Sequence, residues 1–586
     1  MRRSNFPWLT IHALALATAL ALMFIVKLPL SRLDVPYTFA GDTLDKLVQV
    51  ETVAETGWLF HNERLGFPYG YDRLDFPRFD SLNYVVMGPI AAATGSSGLA
   101  INLYYIISTF AIAFAAFLVF MRLGLRASIS FLLALLYALL PYHLLRGVTH
   151  VTNGAYFFVP PAMLVLTWLA ENKLAPGLPY ARRRYWFALA IALLIPLQTP
   201  YNGVFFAFTM CVATAIALAH QPQPRALLPA CGLLLATLLS FVGEQVPSML
   251  HHWKAGPATH VADRNPIDAE VYSMHLNQVL LPTTRHIVPK VAEAKRGFDK
   301  AMRLDQPFYE IRDQYIGALG VFGFAVLLWS LVQSVGESAR TPPRPPTQLE
   351  IRLRIYAVIA IAILLLAIST GIGNEIAYWL TTKIRAYNRI LPFFAFPCLF
   401  AAGCALQRAL TYIRPPGMQY AMLAITGAIA VLDTAVNPGF DGQRAQTVAE
   451  YDSAGTYFRN VEAKLGDGAA VFQLPVVWYP EHPPVERMGD YEEFKPFLLT
   501  RSLKFSYGSA DGRPGYEWAR RIESSQNPVT QLSEAGFSAI LIDSRAYKPE
   551  DFRQRVAGLT AMTEPPIVDT NRRWWLFPLH GCCARP

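Results

Sequence analysis

Charged residues are scarce in this chain of 586 residues: Asp, Glu, Lys and Arg make up 16% of it, whereas 53% is hydrophobic. Globular proteins carry about 25% charged residues, so the composition excludes an ordinary soluble enzyme and predicts a polytopic membrane protein. The net charge of +9 does not indicate nucleic acid as a partner, because the basic residues fall in short clusters between apolar runs.

Several motifs of soluble enzymes are also missing. The sequence has no Gly-rich phosphate loop, no internal repeat and no H-E-x-x-H or H-x-x-x-H spacing, which leaves no motif for a nucleotide or a helix-borne zinc ion. None of the six cysteines has the C-x-x-C spacing of a zinc or redox site. The first four lie in apolar runs, where we expect them to be buried small residues. The redox state of Cys582 and Cys583 stays open.

Long apolar runs are what the chain has instead. The run from Trp8 to Leu30 follows Arg2 and Arg3 and exceeds the ~20 residues that cross a hydrocarbon core. It predicts an uncleaved first span with a cytoplasmic N-terminus rather than a secretory signal. We predict about eleven transmembrane helices. The ten later runs cover 102–120, 129–145, 155–169, 185–197, 203–219, 226–241, 316–332, 355–368, 390–406 and 420–432.

The loops between these runs alternate in charge. Every second loop carries arginine clusters with few acids, for example Arg182 to Arg184 and Arg408 with Arg414, as the positive-inside rule expects of cytoplasmic loops. The other loops carry the acids and histidines, and we predict that they are extracytoplasmic. Residues 1–436 are then a transmembrane domain with outer loops at 31–84 and 247–315. The inferred cellular location of the protein is a bacterial inner membrane.

The last 150 residues have soluble character. Residues 437–586 contain three predicted strands, GAAVFQLPVV, SAILIDS and RRWWLFPL, and the first two follow the predicted helices TYFRNVEAKLG and PVTQLSEAGF. This alternation predicts a small α/β domain. Because it follows an odd number of spans, it is expected on the extracytoplasmic side.

The first outer loop carries the most prominent carboxylates. Asp42 and Asp45 open the amphipathic stretch LVQVETVAETGWLF, so Asp42 is expected at or before a helix N-terminus and Asp45 within the first turn. An ionised carboxylate at the membrane edge would suit a general base for an acceptor hydroxyl. The alternative is that Asp42 is only an N-cap.

Aromatic and acidic side chains alternate further along this loop, around Tyr69, Tyr71, Phe76 and Phe79. Aromatic faces beside carboxylates suit sugar rings, whereas the alternative is an interfacial aromatic belt with solvated acids. No cofactor is predicted with certainty, and a divalent metal held by these oxygens is an open alternative. The candidate substrate-binding residues are Asp45, His61, Asn62, Asp72, Asp75, Asp80 and, in the second outer loop, Gln278.

A basic cluster, KIRAYNRI, precedes a late span on the predicted outer side. Positive charge there runs against the usual bias, and an anionic phosphate at the membrane surface would account for it, because a guanidinium pairs well with phosphate oxygens. The alternative is arginines that snorkel to lipid headgroups. The candidate lipid-phosphate-binding residues are Arg285, His286, Arg385, Asn388 and Arg389.

These features resemble the GT-C superfamily of membrane glycosyltransferases, which use polyprenyl-phosphate sugars. Several short motifs look like the bacterial GT-C-like proteins called sugar translocases or glycosyltransferases, and FQLPVVWYPE and LKFSYG look like their terminal domain. The motifs of the membrane domain are GD at 41–42, GWLFHN at 57–62, LGFPYG at 65–70, YDRLDFP at 71–77, EVYSMHLNQVLLP at 270–282 and RAYNR at 385–389.

The resemblance implies an inverting transfer from a polyprenyl-phosphate-linked sugar to a glycan, lipid or protein acceptor. The family's first-loop aspartate, which acts as a base or helps a metal, matches Asp42, and its lipid-phosphate contacts correspond by position to His286, Arg385 and Arg389. No D-x-D motif stands beside Asp42, which puts a metal requirement in doubt. The rival hypotheses are a flippase of lipid-linked sugars that forms no bond and an enzyme-like scaffold with an inactive site.

Overall fold

The computed structural model describes residues 8–76, 79–220, 227–261, 263–303, 314–338 and 345–579. Cys582 and Cys583 lie outside these residues. Within the described residues, seven helical stretches are long and apolar enough to cross a membrane. They are Trp8–Ile25, Ser97–Arg122, Ala127–Arg146, Pro200–His220, Leu227–Ala255, Gly317–Gly336 and Tyr387–Tyr412.

The predicted polytopic helical class is confirmed, and each predicted span falls on a helix. The other four predicted spans coincide with helices Val159–Ala170, Ala181–Gln198, Gln348–Ala367 and Pro416–Thr434, which are not among the seven. The count of about eleven crossings therefore stays a prediction. An apolar helix that the sequence did not suggest, Ser81–Thr94, follows the first loop and contains Pro89.

Eleven helices are described in the first half of the chain. They are α1 (Trp8–Leu20, continued by a π-helical turn, Ala21–Ile25), α2 (Asp42–Thr56), α3 (Ser81–Thr94), α4 (Ser97–Arg122), α5 (Ala127–Ala138), α6 (Pro141–Arg146), α7 (Val151–Gly154), α8 (Val159–Ala170), α9 (Ala181–Gln198), α10 (Pro200–His220) and α11 (Leu227–Ala255).

The second half of the helical region starts within the predicted outer loop 247–315. Three short helices form there, and the third begins at Pro289 because proline suits a first helical turn. The helices are α12 (Ile267–Val271), α13 (Leu276–Leu280), α14 (Pro289–Ala301), α15 (Gly317–Ser338), α16 (Gln348–Ala367), α17 (Ile372–Trp379), α18 (Leu391–Ala409) and α19 (Pro416–Thr434).

Helix α18 lies at the centre of the helical region and is buried from Leu391 to Cys404. Its aromatic side chains stack on neighbouring helices: the ring of Phe396 lies 4.5 Å from that of Phe120 and nearly parallel to it. Helix α15 approaches it most closely at Gly323, where a Cβ atom would collide with the backbone carbonyl of Cys398. Small residues allow such close backbone approach between helices in a membrane.

The terminal residues form a five-stranded sheet with the order β4-β3-β5-β7-β6. The three predicted strands are present as β3, β5 and β7, and the two predicted helices as α20 and α23. β3 pairs in parallel with β4 and β5, whereas β7 is antiparallel to β5 and β6. The elements are α20 (Phe440–Leu465), β3 (Ala470–Leu474), α21 (Lys495–Leu498), β4 (Lys504–Phe505), α22 (Pro514–Glu523), α23 (Pro528–Glu534), β5 (Phe537–Asp543), α24 (Pro549–Thr560), β6 (Ile567–Val568) and β7 (Trp574–Pro578).

The first loop is folded and not extended. Helix α2 ends at Gly57, whose backbone is left-handed (φ +86°) and whose N–H bonds the carbonyl of Val53, a common helix end. A two-stranded hairpin follows, β1 (His61–Asn62) against β2 (Tyr71–Asp72). The loop shares one hydrophobic core with the terminal sheet region, so packing joins these two parts although the sequence separates them.

We expect the Gly323→Ala substitution to lower the melting temperature of the detergent-solubilised protein. The added methyl group would force α15 away from α18, and such overpacking costs about 1–3 kcal/mol. Gly336→Ala is the matched control, because it lies on the same helix with nothing within 4 Å of its Cβ position. Equal melting temperatures for the two variants would contradict the close packing.

Candidate functional site

Asp42 is the first helical residue of α2 and not its N-cap. The N-cap is Gly41 (φ +55°), which offers no side-chain hydrogen bond, so the simple capping role considered for Asp42 does not hold. The carboxylate lies in the first turn, where the helix dipole stabilises negative charge. Its side chain is 46% exposed, and Oδ2 lies 3.0 Å from Nε2 of His150. The following residues of α2 are buried from Thr43 to Val50, so Asp42 is the accessible end of a firmly packed helix.

Asp45, one turn further along, has both oxygens engaged. Oδ1 accepts hydrogen bonds from Arg73 (3.1 Å) and Tyr479 (2.8 Å), and Oδ2 accepts one from Gln49 (2.5 Å). Burial alone would raise the pKa of this carboxyl, but the charges of Arg73 and Lys46 and the Tyr479 hydrogen bond hold it below its usual value. Asp45 is therefore a buried anion that holds the site together.

Tyr479 brings the terminal region to the start of α2. Besides donating to Asp45, its hydroxyl accepts from Arg73 and lies 3.2 Å from the hydroxyl of Tyr71. Burial raises the pKa of the Tyr479 phenol well above its usual range, so the hydroxyl stays protonated and keeps donating. Asp45, Tyr71 and Arg73 of the first loop thus form one buried network with Tyr479, which lies more than 400 positions later in the chain.

A series of polar contacts runs from Asp42 along helix α7. His150 precedes it and contacts Asp42, while Thr149 bonds Thr43 of α2 (3.2 Å). On the same short helix, Thr152 donates to Oδ2 of Asp80 (2.8 Å), which is buried at the start of α3.

The same helix also reaches the loop before α10. The hydroxyl of Thr199 lies 3.5 Å from Oδ1 of Asn153. Two residues later, the ring of Tyr201 lies under the guanidinium of Arg389. This contact joins the residues around Asp42 to the basic cluster.

Two arginines of the basic cluster are seated on tyrosine rings. The Arg389 guanidinium lies 4.4 Å from the ring centre of Tyr201, and that of Arg385 lies 4.7 Å from the ring of Tyr272. Nη1 of Arg385 also lies 3.3 Å from a carboxylate oxygen of Asp268. This contact uses one of the five N–H donors of the arginine side chain. This arrangement holds both charges in place, as cation–π contacts do.

Asn388, between these arginines, is fully buried in a 3₁₀ turn (Tyr387–Ile390). Its backbone N–H donates to the carbonyl of Tyr272 (3.0 Å). Within the described residues, neither polar atom of its side-chain amide has a hydrogen-bond partner, although buried amides are nearly always paired. An amide of this kind beside two fixed cations is suited to a polar ligand.

Several predicted substrate-binding residues lie in contacts between elements. Asp75 is buried and binds Arg513 of the terminal region (Nε at 2.8 Å). Gln278 is buried between Lys295 (2.7 Å) and Asp299 (3.2 Å) of α14. Both side chains are therefore engaged by protein partners and not by the residues around Asp42 named above.

The hairpin candidates lie beyond the far end of α2. His61 is exposed on β1, and Asn62 is buried, where it donates to Glu55 (2.9 Å). The backbone of Asp72 pairs with His61, but its side chain lies outside the described part of the chain.

The last two phosphate candidates lie near residues 436–438. Arg285 is exposed and donates to the carbonyl of Pro438 (3.4 Å). His286 is buried and forms a bridge with Val436; its Nδ1 accepts the backbone N–H of Val288 (3.0 Å). No contact described here links either residue to Arg385 or Arg389.

Sequence analysis missed four residues that lie next to Asp42, Asp45 or the basic cluster: Tyr201, Tyr272, Tyr479 and Asp490. Burial, together with the nearby charge of Asp42, raises the pKa of the Asp490 carboxyl. Tyr272 and Tyr479 lie in motifs that were quoted for the family resemblance, EVYSMHLNQVLLP and FQLPVVWYPE, so they had a signal. Tyr201 and Asp490 had none, because only folding brings them to the site.

The described residues contain no group of three or more His, Cys, Asp or Glu side chains that could hold a metal ion. Around Asp42 the candidate donors are His150 and Asp490, which fall short of the six or more oxygen ligands that Ca²⁺ takes. We therefore derive no step through a metal.

The apolar helices and the terminal sheet define a polytopic helical membrane protein with a C-terminal α/β region. No protein-family model and no curated protein matches the chain. Solved structures do match it in overall fold, at 11–17% identity and with TM-scores below 0.5.

Three of these structures span most of the chain. The archaeal oligosaccharyltransferase AglB from Archaeoglobus fulgidus, in complex with an inhibitory peptide and a dolichol-phosphate, has a TM-score of 0.43 and 13% identity and covers 92% of this chain and 69% of its own. The arabinofuranosyltransferase AftD from Mycobacteria has a TM-score of 0.49 and 17% identity, covering 97% of this chain but only 40% of its own. ArnT from Cupriavidus metallidurans, bound to undecaprenyl phosphate, has a TM-score of 0.43 and 11% identity, covering 99% of both chains.

We expect Tyr479→Phe to lower the free energy of unfolding by about 1–3 kcal/mol, because it removes one hydroxyl from a buried network and leaves charged partners less satisfied. Thermal unfolding in detergent measures the loss, and amide hydrogen exchange should show faster exchange in α2. Tyr69→Phe, at a tyrosine that is 53% exposed, is the control. If both variants have the same melting temperature, Tyr479 does not hold the terminal region on the loop.

Proposed function

We propose that the chain is a membrane glycosyltransferase that moves a sugar from a polyprenyl-phosphate donor to a glycan, lipid or protein acceptor. In this proposal Asp42 is the catalytic base and the transfer inverts the anomeric carbon. The site faces the extracytoplasmic side of a bacterial inner membrane, in line with the arginine-rich alternate loops.

The observation that carries the proposal is a series of mostly buried side-chain contacts that joins an accessible carboxylate to two fixed cations. Asp42 stands at the exposed end of a buried helix, and Arg385 and Arg389 are held on tyrosine rings. Helix α7 and the segment 199–201 form a continuous series of contacts between them. A base and a separate phosphate site are the two parts that transfer from a lipid phosphate requires.

The carboxylate is suited to the base. An acceptor hydroxyl hydrogen-bonded to Asp42 would lose its proton to Oδ1 or Oδ2 as its oxygen forms a bond to the anomeric carbon. His150, 3.0 Å from Oδ2, orients the carboxylate. The helix dipole favours the ionised form that accepts the proton.

The cations are suited to the leaving group. As the bond between the anomeric carbon and the phosphate oxygen breaks, its electron pair stays on the phosphate, which gains negative charge. Arg385 and Arg389 would stabilise that charge electrostatically, and Asn388 would add neutral hydrogen bonds. Because the lipid phosphate leaves as a stable anion, no general acid is needed.

A flippase is the rival function, and the acids within the long helices do not favour it. Transporters place ionisable groups at broken helices near the membrane midplane. Here Glu244 of α11 accepts the backbone N–H of Ser81 at the start of α3 (2.9 Å), and Asp433 of α19 accepts that of Ala318 at the start of α15 (2.6 Å). Both acids therefore complete helix ends, which is a structural task.

We expect Asp42→Asn to abolish the glycan or glycolipid product in cells, as a full deletion does, because an amide cannot accept the proton. Mass spectrometry of envelope glycans and lipids from strains with matched protein levels measures the product. A loss of at least about 100-fold is expected for a general base, and the missing product identifies the sugar and the acceptor.

The control for this experiment is Asp441→Asn. Asp441 is an exposed aspartate in the first turn of α20, which also follows a glycine N-cap, Gly439. It matches the local setting of Asp42 without the surrounding surface. Full product from the Asp42→Asn strain would reject the base and favour transport or another catalytic group.

We expect Arg385→Gln to weaken binding of polyprenyl phosphate by about 10- to 150-fold, since losing a charge-assisted contact costs about 1.5–3 kcal/mol. Titration of the purified protein with polyprenyl phosphate measures the dissociation constant. Lys383→Gln removes an exposed charge two residues away and is the control. Equal weakening by both variants would show a general electrostatic effect and not a phosphate site.

A further inference from the structure

A groove lies at the other end of α2 from Asp42. It forms where the helix ends and the β1–β2 hairpin begins, and its volume is about 480 Å³, which is within the ~300–1,000 Å³ typical of ligand sites. The lining residues are Glu55, Thr56, Trp58, Phe60, His61, Asn62, Glu63 and Arg64. Of these, the function proposed above uses none as a catalytic or phosphate-binding group.

The floor of the groove is rigid. Asn62 is buried and donates to Glu55 (2.9 Å), while its Oδ1 accepts the backbone N–H of Arg64 (2.9 Å). Arg64 pairs with Glu55 and donates to the carbonyl oxygen of Thr500 in the terminal region (2.8 Å). Its guanidinium also lies 4.5 Å from the ring centre of Phe497. The shape of the groove is therefore set before any ligand arrives.

The walls combine aromatic and polar surface. The rings of Trp58 and Phe60 lie 6.2 Å apart at 88°, and both are partly exposed. His61 and Glu63 are exposed beside them. Because Arg64 is neutralised by Glu55, the charge left facing the groove is the carboxylate of Glu63, which disfavours anionic ligands such as phosphates.

We propose that this groove binds an uncharged stretch of saccharide. The aromatic rings offer flat faces to the C–H side of a sugar ring, and Glu63 and His61 offer hydrogen-bond partners to its hydroxyl groups. A lipid chain would need walls that are apolar throughout, which these are not.

The distance from Asp42 indicates what the saccharide is. Helix α2 has 15 residues, so at 1.5 Å per residue its two ends are about 20 Å apart. A single sugar at Asp42 cannot reach the groove. The assigned occupant is a distant part of an extended acceptor glycan whose end lies at Asp42, an assignment that rests on the proposed transfer reaction. It predicts that affinity for an acceptor rises with its chain length.

The test is a binding series with the full-length protein in nanodiscs. The probes are fluorescently labelled oligosaccharides, released from envelope polysaccharide of the source cells by mild acid and separated by length, with labelled monosaccharides as the shortest members. For Trp58→Ala we expect about tenfold weaker binding of the longest fractions, from the loss of an aromatic contact, and unchanged binding of the monosaccharides. Glu63→Gln, an exposed change that preserves shape, should weaken the long fractions several-fold.

The control is Trp253→Ala, which removes a tryptophan that is 82% exposed at the end of α11 and should bind every fraction like the wild type. Wild-type binding that does not depend on length, or long fractions that bind Trp58→Ala as tightly as wild type, would overturn the proposal. Binding of synthetic peptides but not oligosaccharides, lost in Trp58→Ala, would overturn it in favour of a peptide site. Asp42→Asn should retain the length dependence. If Asp42→Asn keeps both the length dependence of binding and full product in cells, the proposed role of Asp42 in transfer is rejected, whereas saccharide binding in the groove is supported.

Discussion

The buried carboxylate of Asp45 is the interaction on which the rest of the site depends. It holds Arg73 of the hairpin and Tyr479 of the terminal region against the first turn of α2. Removing one member of such a buried charged set costs about 3–5 kcal/mol, because a partner is left uncompensated. The position of Asp42, three residues earlier on the same helix, follows from this constraint.

This constraint explains why the terminal sheet and the first loop pack as one body. A hydrophobic core of tyrosine and phenylalanine rings surrounds the charged network, as with Tyr479 against Phe494 at 5.4 Å. The low dielectric of that core strengthens each internal hydrogen bond. The terminal region therefore acts as a wall of the site and not as an appended module, and it also supports the groove at the far end of α2, because the carbonyl of Thr500 accepts a hydrogen bond from Arg64.

Much of the architecture could be predicted from local patterns. Each long apolar run became a helix, and the three terminal strands appeared where short apolar runs predicted them, because local hydrophobic pattern decides much of secondary structure. The short helix α3 was missed since Pro89 and a length of 14 residues hid its apolar character. The site was less predictable: Asp45, Asp75, Asn62 and Gln278 have the residue types expected of ligand contacts, yet each is occupied by a protein partner, and pairing across the chain leaves no local signature.

The amino-acid sequence by itself determined that this is a membrane protein of many helices, that a soluble α/β region follows them, and that a carboxylate stands at the start of an amphipathic helix in the first loop. These properties depend on composition and on short-range spacing. Only the tertiary structure decided which aspartate is accessible and which is buried, since folding packs Asp45 against Tyr479, more than 400 residues away, and leaves the Asp42 side chain 46% exposed. It also decided that Arg385 and Arg389 rest on tyrosine rings, because cation–π contacts form between side chains that only folding brings together.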